Sequence, residues 1–398
     1  MMNRIPLWLD CDPGHDDAFA MLLSAYHPRL NLLGVSSVFG NASLSHTTAN
    51  AAAVLTAIGK EKDIPLYRGA EKALERPPFH APEVHGESGL EGTFLLPKPE
   101  CEPREGDAVE AMYKALMAQP KDTAWLVATG SLTNIGLLLK KHPDVVAQLK
   151  GVSIMGGSFG DGFTDCPPNI VDGEVRVGNI GLWAEFNILI DPEAAAAVFH
   201  NKEVAKKTTL IPLDVSHLCL GTKEVRDMIL YGPGAKAEGD GKSTLRKMFV
   251  ELLNFFAGTY EYVSTILLTL FITDISSNVF GVKDGAPLHD PIAVAALLIG
   301  TPDEIPFMEW HERKSAHPKH DERFDVQVIT EGTFEDAKAK KSQLGRTIAR
   351  ALSAGEEGVR IPRGLDVASF WREIELCVER ADEVNAKNGK TFWGEYKP

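Results

Sequence analysis

Short runs of Val, Ile and Leu alternate with amphipathic stretches along most of this chain, and that alternation narrows its fold more than any other feature. Ile5–Leu9, Leu32–Phe39, Ala124–Ala128, Val152–Met155 and Leu210–Leu213 are near-continuously apolar, as strands buried on both faces are. Between them the spacing predicts helices over Asp17–Tyr26, Ser45–Ile58, Ala108–Met117, Leu132–Lys141, Pro192–Phe199, Lys223–Leu230 and Ile292–Ile299. Strand and helix in turn imply an α/β fold, an open and mostly parallel sheet flanked by helices. Ligands bind such sheets outside the carboxyl ends of the strands, so the loops that follow the strands are where chemistry is expected.

The first of those loops is the most unusual. Ile5–Leu9 runs directly into D-C-D-P-G-H-D-D, Asp10 to Asp17, which sets four carboxylates in eight residues around a Pro13-Gly14 turn. Like charges this close repel and favour their neutral forms unless a cation compensates. A hard divalent ion such as Ca²⁺ removes the conflict, because it accepts six to eight oxygens. A helix cap needs only one acid, so capping by Asp16 or Asp17 does not explain the rest. Two later loops offer further oxygens: P-L-H-D-P, with Asp290 ahead of an apolar helix, and A-T-G-S-L-T-N, Ala128 to Asn134. Taken alone, each is also an ordinary turn and cap.

The chain has 398 residues, with 41 Lys plus Arg against 55 Asp plus Glu, for a net charge of −14. Such acidity argues against a surface built for nucleic acid or an anionic membrane. Five scattered cysteines, Cys11, Cys101, Cys166, Cys219 and Cys377, form no C-x-x-C pair and suit free thiols in a reducing compartment. The opening apolar run meets acids at once, and Val263–Ile275 is short and interrupted by Ser, Thr and Asp; neither suits a signal or an anchor. A cytoplasmic protein is expected. Residues 1–398 read as one domain, with insertions near 157–178, 232–242 and 309–323 and a C-terminal extension carrying a helix around Trp371–Val384.

Six motifs in order then carry a resemblance: D-C-D-P-G-H-D-D, V-H-G-E-S-G-L (Val84 to Leu90), A-T-G-S-L-T-N, M-G-G (Met155 to Gly157), A-E-F-N (Ala184 to Asn187) followed by I-D-P, and P-L-H-D-P. Together they resemble the nucleoside hydrolases of the inosine–uridine-preferring type, over most of the chain from Ile5 to about Gly300. The resemblance implies a Rossmann-like core and one Ca²⁺ at the strand ends. Asp12, Asp17 and Asp290 would be its carboxylate ligands, the Thr129 carbonyl a fourth contact, and Asp10 a support that orients the loop. Asp16, Asn41, Asn179, Glu185 and Asn187 would hold ribose hydroxyls, with Met155 against the sugar or the core.

The implied activity is Ca²⁺-dependent hydrolysis of ribonucleosides such as uridine and inosine to ribose and free base, in nucleoside salvage. Asp12 would be the base that activates water, and His289, which titrates near neutrality, would protonate the leaving base. His85 would approach the base from a lid-like loop, Glu83–Gly92, and one of Phe255, Phe256, Tyr260 or Tyr262 would add an aromatic. The family commonly forms homodimers or homotetramers, and fungal members carry similar extra segments. Without the resemblance, Asn41 and Asn179 are plain turn residues after glycine, and His289 equally well bonds a neighbouring carbonyl. Two other functions stay open from the residues alone: a D-x-D phosphohydrolase with an aspartyl nucleophile, and a non-catalytic ribonucleoside-binding protein.

Overall fold

The computed structural model describes residues 4–171, 174–236, 239–269, 285–309 and 321–395, with side chains up to residue 259 in the third of these segments. Six parallel strands form the central sheet: β1 (Ile5–Cys11), β2 (Leu30–Ser37), β3 (Leu66–Arg68), β4 (Trp125–Ala128), β5 (Gly151–Met155) and β6 (Thr208–Ile211). Their spatial order is β3-β2-β1-β4-β5-β6, so the chain reverses direction across the sheet between β1 and β4. The carboxyl ends of those two strands bound the crevice in which doubly wound sheets bind ligands.

Burial explains why the apolar runs became strands. Every residue of β1 after Ile5 is buried, as are all of β5 and β6, because helices cover both faces. On one side Asp17–Tyr26 packs with Asp290–Ala295 and the C-terminal helix Val367–Lys387 through Phe19, Leu22, Ile292, Phe370 and Ile374. On the other, Ala108–Met117, Thr133–Lys141 and Pro192–Phe199 bury Met112, Leu138 and Val198 against Trp8, Leu126 and Ile154.

Several boundaries differ from the sequence reading. The run Leu32–Phe39 yields a strand that ends at Ser37, and Leu210–Leu213 yields Thr208–Ile211, with Leu213 opening a short helix, Leu213–Ser216. Pro212 explains the latter: it has no N–H for a ladder and readily starts a helix. The edge strand β3 was missed, because three residues carry no periodicity. The segment 157–178 contains an antiparallel pair, Asn169–Val171 with Glu174–Arg176. Residues 310–320 of the 309–323 insertion, 237–238 of 232–242, the stretch after Thr269 to Ile275, and the side chains of Tyr260 and Tyr262 lie outside the described residues. Among the described residues no helix is long and apolar enough to cross a membrane.

The C-terminal extension is tied into the core. Arg246, on the helix Thr244–Thr269, is buried and donates from Nη1 to Glu375 at 2.9 Å and from Nε to Asp382 at 2.5 Å. Trp393 Nε1 donates to the Leu95 carbonyl at 2.7 Å, so the tail also braces the segment after Glu83–Gly92.

Candidate active site

The acidic loop sits at the reversal point because β1 delivers it there. Register places Asp10 between Ser36 of β2 and Ala128 of β4. Its Oδ1 accepts from Asn134 Nδ2 at 2.8 Å and from Ser36 Oγ, which itself accepts from Trp8 Nε1 at 2.9 Å. Asp10 is buried beneath the loop, and burial pushes its carboxyl up to about 7.

Asp12 Oδ2 accepts from the Asn41 amide at 2.8 Å, while Oδ1 is buried with no partner. Gly40 and Gly130 close around it: a Cβ on Gly40 would stand 2.0 Å from Oδ2, and one on Gly130 would stand 2.5 Å from Oδ1. Asp17 accepts from Gly14 N at 2.9 Å, Thr129 Oγ1 at 2.9 Å and Asn41 Nδ2 at 3.2 Å. Asp16 stands at the N-cap of the first helix without a side-chain cap bond, so capping is not its role.

Carboxylate oxygens of Asp16, Asp17 and Asp290 all come within 4.8 Å of one another. Asp12, expected as a ligand, lies outside that set of three. All four carboxylates are buried, and burial pushes each upward: Asp16 to about 7, Asp12 and Asp290 well above the carboxylate range. Repulsion among Asp12, Asp16, Asp17 and Asp290 adds to the rise. An orphaned buried oxygen beside converging acids is what a divalent cation would relieve, and an all-oxygen donor set suits a hard ion. The residues therefore fit a metal.

Asn187, Asn179 and Glu185 add further polar groups to the crevice. Asn187 Nδ2 donates to the Thr129 carbonyl at 2.8 Å and faces Met155 O and Sδ at 3.3 Å. Glu185 caps the short helix Phe186–Ile190, accepting from Asn187 N at 2.8 Å, Ile188 N at 3.0 Å and Gly157 N at 2.9 Å. Burial lifts it to about 7 against the pull of those three donors. Asn179 Oδ1 accepts from Phe186 N at 2.9 Å. Neither Glu185 nor Asn187 faces solvent.

These groups line a cavity that also contains Asp16, Asn41, Thr129, Met155, Asp290, His85, His289 and Phe256. Ala81, Val84, Ile180 and Phe186 add apolar lining to the same cavity. Phe256 approaches both histidines, at ring-centroid distances of 5.4 Å from His85 and 6.2 Å from His289. His289 Nδ1 lies 2.7 Å from Ser216 Oγ, a side-chain partner rather than a backbone carbonyl. Burial lowers both imidazoles well below their usual value, and the proximity of His15 to His85 and of His217 to His289 lowers them further.

Thus the structure brings Asp12, Asp16, Asp17, Asn41, His85, Thr129, Met155, Asn179, Glu185, Asn187, His289 and Asp290 to one crevice, with Asp10 beneath it. Sequence reasoning missed His15, Ser216 and Thr259. His15 was legible as part of the acidic motif; Ser216 and Thr259, in helices remote in sequence, carried no signal.

A strand-end crevice lined by buried acids and amides belongs to an α/β-class enzyme acting on a small polyhydroxylated substrate. Residues 7–372 match the family described as inosine-uridine preferring nucleoside hydrolase. The chain belongs to that family, and it is a nucleoside hydrolase acting on N-glycosyl bonds. It is 36% identical to the uridine nucleosidase of Saccharomyces cerevisiae over 387 residues, which cover 96% of this chain and 98% of the relative. It is also 36% identical to a probable ribonucleoside hydrolase of Dictyostelium discoideum, over 93% of this chain and 94% of that one. The purine-preferring ribonucleoside hydrolase from Gardnerella vaginalis shares the fold, with a TM-score of 0.70 at 24% identity over 95% of this chain and 99% of that structure. Family membership sets aside both the phosphohydrolase and the non-catalytic alternatives.

Proposed function

We propose that the protein hydrolyses ribonucleosides, uridine foremost, with Ca²⁺ held by Asp12, Asp17, Asp290 and the Thr129 carbonyl. The convergence of buried acids at the cavity that Asn187 and Glu185 also line carries this reading, and likeness to the yeast uridine nucleosidase supports the choice of base. Asp16 belongs beside the ion as well as against the sugar, given its closeness to Asp17 and Asp290. The bound ion would acidify water and engage the ribose diol.

The chain's own groups supply the rest. Asp12, held in one orientation by Asn41 and two glycines, takes a proton from the water whose oxygen attacks C1′. Asp16, Asn41, Asn179, Glu185 and Asn187 orient ribose, with Met155 below it. As the glycosidic bond breaks, its electron pair moves onto the base nitrogen, with oxocarbenium character on the sugar. His289 meets that charge. Its Nδ1 lies 2.7 Å from Ser216 Oγ, which holds the ring in place, and the imidazole would offer a hydrogen bond to the departing base.

A cytoplasmic homodimer or homotetramer active in nucleoside salvage completes the reading. Its support is an acidic chain with free cysteines and likeness to ribonucleoside hydrolases. Incubation with uridine, inosine, cytidine, adenosine and nicotinamide riboside, with and without chelator, and assay of released reducing sugar tests the activity. Release from uridine that chelator stops and Ca²⁺ restores is the expected result; no release from any nucleoside with Ca²⁺ present overturns it.

A further inference from the structure

His15 stands inside the acidic loop and has no part in the chemistry above. Its ring is buried and stacks on Phe255 and Phe256, with centroids 5.1 and 5.4 Å away and planes 10° and 2° apart. Both of its nitrogens have partners. Nε2 lies 2.8 Å from the Glu91 carbonyl oxygen, and a carbonyl only accepts, so Nε2 carries a proton. Nδ1 lies 3.1 Å from Nδ1 of His85, a contact that needs one proton and one lone pair.

Hydrogen-bond polarity along this chain is then determined. A buried imidazole without a carboxylate partner is neutral and has a single N–H. In His15 that proton is at Nε2, so Nδ1 is the acceptor. His85 must supply the proton at its own Nδ1, and as a second buried neutral ring it has none left for Nε2. Nδ1 being engaged, Nε2 is the nitrogen that His85 has for a ligand in the cavity it lines.

We propose that His15 is a positioning residue: it holds His85 in the tautomer whose Nε2 is a lone pair, so that His85 binds a hydrogen-bond donor of the nucleoside and is not a proton source for the leaving base. This deepens the nucleoside-hydrolase reading and rests on it. The donor is either the N–H of a lactam base edge, N3–H in uridine and N1–H in inosine, or the 5′-hydroxyl of the sugar. The leaving base is left to His289, whose Nδ1 has a different partner, Ser216. The two histidines of one cavity thus have different partners behind their rings, His15 for His85 and Ser216 for His289.

Ring-nitrogen NMR of histidine-labelled full-length protein at neutral pH decides the tautomer without any turnover, with His85 assigned by its absence in His85→Gln. The expected wild-type pattern has the proton on Nδ1 and an unprotonated Nε2. His15→Phe keeps the stacked ring but removes the acceptor, and should move His85 to the Nε2–H form. His15→Asn, whose amide oxygen takes the place of Nδ1, should restore the Nδ1–H form and covers the case in which the Phe variant does not fold. An Nε2–H or doubly protonated His85 in the wild type overturns the proposal, as does a pattern unmoved by His15→Phe.

Kinetics then identify the donor. His15→Phe should lower kcat/KM for uridine about tenfold, mainly through KM, the size of one lost hydrogen bond. Against 3-methyluridine the variant should lose nothing further if the base edge is bound, and against 5′-deoxyuridine nothing further if the hydroxyl is. Equal losses on all three substrates would make His15 merely structural and overturn the proposal. A wild type inactive on every nucleoside would sink the hydrolase reading instead, while the NMR result still stands on its own.

Discussion

Ser216 Oγ lies 2.7 Å from Nδ1 of His289, which joins the helix after β6 to the loop that carries Asp290. That contact holds the ring beside Phe256, with ring centroids 6.2 Å apart. His289→Ala is expected to slow uridine hydrolysis about a hundredfold. An activated nitrophenyl riboside, whose leaving group needs no proton, should slow far less. Ser216→Ala should show the same bias at about tenfold. Equal losses on both substrates would mean that the histidine only shapes the site.

The two glycines around Asp12 give a steric test of its orientation. Gly130→Ala puts a methyl group 2.5 Å from Oδ1, too close for any contact, so the carboxylate must turn away. We expect kcat to fall at least about tenfold while circular dichroism and uridine binding persist, and Asp12→Ala to cost about 10² to 10⁴. Unchanged turnover in Gly130→Ala would remove Asp12 from the base role.

Calcium should stabilise as well as activate. Four buried acids repel one another without an ion, and a ligand bound only by the folded state adds about 2.7 kcal/mol at a hundred times its Kd. Calorimetry after chelation should show a lower Tm that Ca²⁺ restores. Asp290→Asn should abolish that increment and also raise the Tm of the metal-free protein, because one repelling charge is gone.

Two buried groups predict opposite pH trends. Glu185 is raised by burial from 4.5 to about 7, so its contribution to stability is full below about 4.5 and is lost as pH rises through about 7. His217 is lowered by burial from 6.5 to about 4, so its contribution is full above about 6.5 and is lost as pH falls through about 4. The Tm of wild type relative to Glu185→Gln should therefore fall on raising pH from about 5 to about 8. Relative to His217→Phe it should fall on acidification from about 7 to about 4. A flat difference in either series contradicts the corresponding burial.

Arg246 holds the C-terminal helix to the helix that carries Phe256. Removing its charge in Arg246→Met leaves Glu375 and Asp382 facing each other without a cation, which costs about 3 to 5 kcal/mol for a buried network. Urea unfolding of the variant measures it, and a loss under about 1 kcal/mol would mean that water already reaches the pair.

Much of this was legible without coordinates, and the reasons are local. Continuous apolar runs announced β1, β4 and β5, and the predicted helices Asp17–Tyr26, Ala108–Met117 and Pro192–Phe199 have the boundaries observed. Errors fell where periodicity is shortest: β3 has three residues, and Pro212 divided a run that looked continuous. Within the site, the acidic motif was conspicuous because so dense a cluster of charge is costly. Glu185 and Asn187 stood out only through the resemblance; backbone amides and the Thr129 carbonyl hold both inside.

By itself the amino-acid order determined the alternating layers, the acids after β1 and the family, since each depends on neighbours along the chain. Only tertiary structure decided which oxygens converge, which side chains stand behind His85 and His289, and which glycines grip Asp12. Those depend on pairs such as Asp17 with Asp290, His15 with Glu91 and Ser216 with His289, far apart in sequence. Hydrogen-bond polarity and charge repulsion act over a few ångströms of space, and folding alone sets those distances.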